Sequence, residues 1–172
     1  MNGRGPDSEV TATSTLVDSS MPYKESPRFE GLHASDETAS RIARRLSKKK
    51  DTKPEVVLRT RLWHEGCRYR KNVSWLPGKP DIVFLRAKVA IFCDGDFWHG
   101  KDWPARREKL LKGHNAGYWI SKVEGNRRRD GQVNAQLTAD GWTVVRVWES
   151  DIHTDLDNII ETVLPIVRGI EG

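Results

Sequence analysis

Apolar positions divide the chain near residue 36. Before it, Gly, Pro, Ser, Thr and charged residues surround only scattered apolar side chains (Val10, Leu16, Val17, Phe29), too few to offset the entropy of ordering, so residues 1–35 are expected to form a disordered tail. Residues 36–172 are patterned throughout and are expected to form one folded unit. Ser35 or Asp36 can cap a first helix carrying Ile42 and Leu46. Asp51-Thr52-Lys53-Pro54 starts a second helix with proline in its first turn, and Val57, Leu58, Leu62 and Trp63 supply an apolar face up to Gly66. Residues 67–73 read as a strand, Leu76-Pro77-Gly78 as a turn, and Asp81-Ile82-Val83-Phe84-Leu85 as a largely buried strand. After Arg86-Ala87, the run Lys88-Val89-Ala90-Ile91-Phe92-Cys93 reads as another, and a two-residue connection between them predicts an antiparallel hairpin.

Helical spacing returns over about 104–112 and over 116–139, where Trp119, Val123, Val133 and Leu137 share a face, although Gly125 and Gly131 weaken its centre. Asp140-Gly141 stops that helix, residues 142–148 read as a strand, and Leu156, Ile159, Ile160, Val163 and Leu164 pattern a closing helix. Past the first helix, the order helix, three strands, helix, strand, helix predicts an α/β architecture, one mixed sheet between helices. Trp63, Trp142 and Trp148 are expected in the core, while Trp75 and Trp103 fit either core or surface. No internal repeat is present.

Charge adds a partner class. Lys and Arg outnumber Asp and Glu by 29 to 24, for a net +5 and a pI near 9.3, which favours a polyanion. The densest positive run, Arg44-Arg45-Leu46-Ser47-Lys48-Lys49-Lys50, suits either phosphate contact through Lys48, Lys49 and Lys50 or a solvated helix end. The two cysteines, Cys67 and Cys93, lack zinc-motif spacing and are too few for a disulfide framework, as expected of a reducing interior. With no apolar run near the roughly 20 residues of a bilayer span and no signal-peptide core, a soluble cytoplasmic protein is expected.

Candidate chemistry collects at the hairpin. Asp81 opens one strand and Asp94 ends the other, so antiparallel pairing should bring two carboxylates to one sheet edge. Magnesium takes such oxygen ligands, usually one or two carboxylates completed by water and substrate phosphate. The same acids could also simply terminate strands as exposed turn residues. What favours chemistry is the continuation Asp94-Gly95-Asp96-Phe97-Trp98-His99, which puts aromatic rings and an imidazole where a buried strand surfaces. His99 can accept a proton near neutral pH, as activating a water for attack on phosphorus requires.

Four separated motifs in order carry a resemblance: Asp51-Thr52-Lys53-Pro54-Glu55; Leu76-Pro77-Gly78-Lys79-Pro80-Asp81-Ile82-Val83-Phe84; residues 92–100; and Val147-Trp148-Glu149. Over about residues 38–152 the chain resembles the very-short-patch-repair (Vsr) DNA mismatch endonucleases. The resemblance implies a restriction-endonuclease-like, PD-(D/E)XK-type fold. It also implies magnesium-dependent nicking of duplex DNA 5′ of the thymine in a thymine-guanine (T:G) mismatch, and a functional link to a cytosine-5 DNA methyltransferase. By the same resemblance Asp81 is a metal ligand, the backbone carbonyl of Cys93 is a second, His99 activates water, Asp130 is an acidic residue near it, and Glu55 is an active-site acid. Asp94 sits where the family carries Asp or His. Phe97, Trp98 and Trp119 match residues that wedge into the duplex beside the mismatch; for Trp119 a core aromatic is the other reading.

One departure is that Asp96 and Ser150 stand where many members carry zinc-binding cysteines, and Lys101-Asp102 follow the Phe-Trp-His motif in place of further ligands. No structural zinc is therefore expected, and residues 100–117 must be held by packing or salt bridges. A monomer in a bacterial or phage setting, acting at the nucleoid, suffices for nicking one strand. A nuclease of the same fold without a mismatch requirement, and a DNA-binding protein without catalysis, are the alternatives.

Overall fold

The computed structural model describes residues 51–169. The expected tail, the helix expected at 36–50 and the lysines Lys48, Lys49 and Lys50 lie outside the described residues. Helix α1 spans Lys53–His64 and is followed by strands β1 (Arg70–Lys71), β2 (Ile82–Phe84) and β3 (Val89–Asp94). Helices α2 (Trp103–Leu111) and α3 (Ala116–Ala139) lead to strand β4 (Thr143–Trp148), then helices α4 (Glu149–Thr154) and α5 (Leu156–Arg168). The four strands make one mixed sheet in the order β1-β2-β3-β4, antiparallel except for the parallel pairing of β3 with β4. The mixed α/β layering expected from the hydrophobic pattern is present.

Both faces of the sheet are covered, as the unbroken apolar run of β3 requires. On one face Ile82, Phe84, Val89 and Ile91 pack with Leu58 and Leu62 of α1, Ile152 of α4 and Ile159, Ile160 and Val163 of α5. On the other, Val83, Ala90 and Phe92 pack with Leu137 and Val133 of α3 and with Val73 and Leu76 of the preceding loop. Side chains alternate across a strand, so this split follows from odd and even positions. Gly78 permits the close approach on the second face: its φ is +71°, and an added Cβ would lie 2.6 Å from Val133 and 3.1 Å from Phe92.

Several expectations need correction. The hairpin connection has four residues, Leu85 to Lys88, because β2 pairing ends at Phe84 opposite Val89 and Lys88 takes a left-handed φ of +49°. The strand expected over 67–73 shrinks to Arg70–Lys71, since Cys67 still closes α1 through its N–H on the Leu62 carbonyl. Helix α4 was unexpected in a polar stretch, Glu149-Ser150-Asp151. Trp63, assigned to the core, is 51% exposed, and Val57 is exposed too; the buried face of α1 carries Pro54, Glu55, Leu58, Arg59 and Leu62. Trp63 is covered instead by the Arg68 guanidinium, 3.8 Å from its ring. Trp142 and Trp148 are half-buried, and Trp75 is 61% exposed. Gly125 and Gly131 leave α3 unbroken over its full length.

Candidate active site

Asp81 is fixed from three sides. Its N–H donates to the Ile91 carbonyl at 3.0 Å, its carbonyl accepts the Asn72 N–H at 3.1 Å, and its Oδ2 accepts the Cys93 N–H at 2.8 Å. The carboxylate is thereby held at the backbone of Cys93. Burial raises the Asp81 pKa to about 6, the Cys93 N–H partly opposes this, and the charges of Glu55 and Asp94 add to the rise. The same burial, with the charges of Asp81, Glu55 and Asp94, pushes the Cys93 thiol far up, so its sulfur is protonated and no nucleophile.

Glu55 is buried, 4% exposed, and both its oxygens are engaged locally: Oε1 accepts the Thr52 hydroxyl and Oε2 the Asp51 N–H, each at 2.8 Å. These two hydrogen bonds satisfy the Asp51 N–H and the Thr52 hydroxyl just before α1 and fix the Glu55 carboxylate in the first turn of the helix. Arg59, one turn on, lies 3.9 Å from it and pairs with Asp51 at 2.6 Å. Glu55 therefore acts on Asp81 through its charge, and its bonds to Asp51 and Thr52 fix where that charge sits.

Asp94 and Asp81 influence each other electrostatically, but their carboxylates do not share a partner. Asp94 is 4% exposed and accepts Nη1 of Arg146 on both oxygens, at 2.8 and 2.9 Å. Arg146, which lies on β4 opposite Phe92 with its guanidinium 4.5 Å from that ring, also reaches Asp130 of α3 at 3.2 Å and Asn134 at 3.0 Å. Asp130 Oδ2 in turn lies 2.6 Å from Nδ1 of His99, which stands 3.7 Å from Asp94. With Nδ1–H donating to Asp130, Nε2 is left as the basic nitrogen. Burial pulls the His99 pKa down, but the Asp130 hydrogen bond and the charges of Asp94 and Asp130 outweigh it and Arg146 only partly opposes them, so the net shift is upward. Sequence reasoning named Asp94, His99 and Asp130 but missed Arg146, a lone arginine in the apolar run Val144-Val145-Arg146-Val147; that interruption was the available signal.

The segment after β3 turns back on itself, the His99 N–H donating to the Gly95 carbonyl at 3.1 Å and the Trp98 carbonyl accepting Asn126 Nδ2 of α3 at 2.8 Å. It brings Phe97 and Trp98 against Trp119, with ring centroids 5.2 to 6.0 Å apart, and Tyr118 extends the group. All four rings are partly exposed. Trp119 therefore belongs to this surface cluster and not to the buried core. Beside it, Lys101 donates to the Ser150 hydroxyl at 2.7 Å and pairs with Asp151, and the Ser150 N–H donates to Asp96 at 3.3 Å. Arg106 donates to the Lys101 carbonyl at 3.1 Å and Arg107 meets Glu124 at 3.5 Å, so residues 100–117 are held by the kind of contacts expected.

Among the described residues no three or more His, Cys, Asp or Glu side chains gather as a ligand set. The side-chain oxygen donor on offer at Asp81 is its one carboxylate, with the charges of Glu55 and Asp94 acting on it. That is a small hard-oxygen set in a negative environment, and it fits a cation that fills its shell with water and phosphate oxygen. Among the described residues no helix is long and apolar enough to cross a membrane.

Residues 35–105 match the family model described as DNA mismatch endonuclease Vsr. The type II nicking enzyme V.NmeDIP of Neisseria meningitidis serogroup C is 45% identical over 126 residues, covering 73% of this chain and 84% of that one. V.HpaIIP of Haemophilus parainfluenzae, also a type II nicking enzyme, is 49% identical over 106 residues, 62% of this chain and 74% of its own. The DNA mismatch endonuclease Vsr of Escherichia coli K12 is 32% identical over 105 residues, 58% and 62%. On this similarity the chain, whose mixed α/β sheet is consistent with it, belongs to the Vsr DNA mismatch endonuclease family.

Proposed function

We propose that this chain is a magnesium-dependent endodeoxyribonuclease of restriction-endonuclease-like, PD-(D/E)XK-type fold, its endonuclease unit spanning residues 36–172, and that it nicks one strand of duplex DNA 5′ of the thymine at T:G mismatches. The observation that carries the reading is the His99–Asp130 pair, 2.6 Å apart, in one charge network with Asp94 and on the same segment as the partly exposed Phe97 and Trp98. Nε2 of His99 takes a proton from the attacking water, and Asp130 and Asp94 stabilise the imidazolium that results. Asp81 and the Cys93 carbonyl would hold magnesium, whose contribution when bound is to neutralise charge on the scissile phosphate. The charge of Glu55 beside Asp81 favours a cation there. Phe97, Trp98 and Trp119 offer a preassembled aromatic cluster of edge-to-face and tilted rings to an opened base step, which a mismatch makes cheaper to open. Lys48, Lys49 and Lys50 would contact phosphates. A monomer suffices, and the substrate ties the enzyme to cytosine-5 methylation, whose deamination product is thymine opposite guanine.

The test is a nicking assay on duplexes carrying T:G, other mismatched and fully matched pairs, with and without magnesium. Nicking confined to T:G and dependent on magnesium is expected. Equal cutting of matched DNA would instead assign the chain to restriction-like or structure-specific cleavage, and binding without cleavage to a protein without catalysis. In Asp81→Ala, full activity would overturn the metal-ligand assignment.

A further inference from the structure

A buried carboxylate without a counter-charge is costly, and this site contains two acids, Asp94 and Asp130, that both face one imidazole. Every nitrogen of the Arg146 guanidinium is committed: Nη1 to both oxygens of Asp94, Nη2 to Asp130 and Nε to Asn134. The arginine comes from β4, the first acid from β3 and the second from α3, so the guanidinium ties three elements at the point where His99 docks. We infer that Arg146 is a positioning residue of this active site: by clamping Asp94 and Asp130 on one guanidinium it fixes the carboxylate that orients His99 and offsets the second carboxylate that faces it. The inference rests on His99 being the general base proposed above.

Two consequences follow from the geometry. First, Asp94 is committed to Arg146 through both oxygens, which leaves it as part of the clamp and leaves Asp81 to face a cation. Second, the charged groups acting on His99 are Asp130 from α3, Asp94 from β3 and Arg146 from β4, and Arg146 is the positive one. Removing it leaves the imidazole facing two carboxylates with no opposing cation, which favours its protonated form further and weakens it as a proton acceptor. Lysine cannot replace it, because a single ammonium lacks the planar fork that spans two acids.

The test is the titration of the His99 ring by NMR together with pH profiles of kcat, in the full-length protein and three variants. Arg146→Gln is expected to raise the His99 pKa by about one unit and to lower kcat at neutral pH by about 10-fold or more, with recovery toward high pH. The double variant Arg146→Gln/Asp94→Asn, which removes the more deeply buried carboxylate together with its counter-charge and leaves Asp130 paired with His99, is expected to fold and to bring the titration back toward wild type. Arg146→Lys keeps the titration near wild type while kcat falls and KM for the duplex stays the same. A His99 titration unmoved by Arg146→Gln, a double variant shifted as far as the single, or a wild-type kcat in Arg146→Lys would each overturn the clamp. Should wild type nick no DNA, the endonuclease reading fails, whereas the NMR titration still decides on Arg146.

Discussion

Asp81 pays for its position with electrostatic strain that the metal-free protein must carry. Its pKa in the fold, about 6, stands above the ordinary 3.8, so between about pH 4 and 6 the folded chain binds more protons than the unfolded one. Stability therefore falls as pH rises through that window, and the full penalty is present above it. Asp81→Asn, which can still accept the Cys93 N–H, is expected to abolish nicking yet stabilise the metal-free protein by about 1–3 kcal/mol at pH 8. That difference should vanish near pH 4, as urea unfolding in the presence of a chelator would reveal. His99 has the opposite chemistry: its raised pKa keeps it protonated, and inactive as a base, to a higher pH than an ordinary histidine. Asp130→Asn removes the main raising contact, so the acidic limb of the kcat profile should move to lower pH while kcat falls about 10- to 100-fold from lost orientation. A limb that stays in place would dissociate Asp130 from the function of His99. At this scale the motif residues were legible in the sequence, because Asp81, Asp94 and His99 stand against apolar or aromatic surroundings where charge is costly. The bonds of Glu55 to the Asp51 N–H and the Thr52 hydroxyl were not legible there, since Thr52-Lys53-Pro54-Glu55 suggests a helix start without saying which donors the glutamate accepts.

At the scale of elements, the loop before β2 is decided by steric contact. Gly78 and Gly66 both have left-handed backbones, φ +71° and +83°, but only Gly78 has neighbours where a Cβ would go. Gly66→Ala should therefore cost about 1 kcal/mol from backbone strain, and Gly78→Ala distinctly more, about 2–4 kcal/mol, since Val133 and Phe92 must shift as well. Thermal unfolding of the two variants measures the difference; equal losses would mean that the α3 contact gives way freely. Phe92 supports Arg146, so Gly78→Ala should also lower activity. The periodic pattern located α1, α3, α5 and the hairpin strands because each buries a stripe at its own repeat. It misjudged the face of α1, where Trp63 and Val57 are apolar yet Glu55 and Arg59 are buried, since a site acid and its partner displace hydrophobes from the inner face. It shortened the hairpin turn because Leu85 extends the apolar run before it and the left-handed Lys88, read as the start of the next strand, shows no side-chain signature.

Across the whole molecule, the segment carrying the aromatic cluster and His99 is tied to the start of α4 by Lys101, Ser150, Asp151 and Asp96. Lys101 and Asp151 are partly exposed, so the ion pair adds little global stability, but it closes contacts between residues about 50 apart in sequence. Lys101→Met is expected to change unfolding free energy by less than about 1 kcal/mol while speeding hydrogen exchange across residues 95–101. Exchange unchanged there, by mass spectrometry, would show that packing alone holds the segment. The sequence by itself determined the α/β layering, most element positions and the residue types able to do phosphodiester chemistry, because periodicity and the cost of misplaced charge are local. Only the tertiary structure decided that Arg146, 52 positions from Asp94, clamps it, that Asp130 meets His99 across 31 positions, and that Trp119 joins Phe97 and Trp98. Those meetings depend on the parallel pairing of β3 with β4 and on the path of α3 over the sheet, which side chains far apart in the chain settle together.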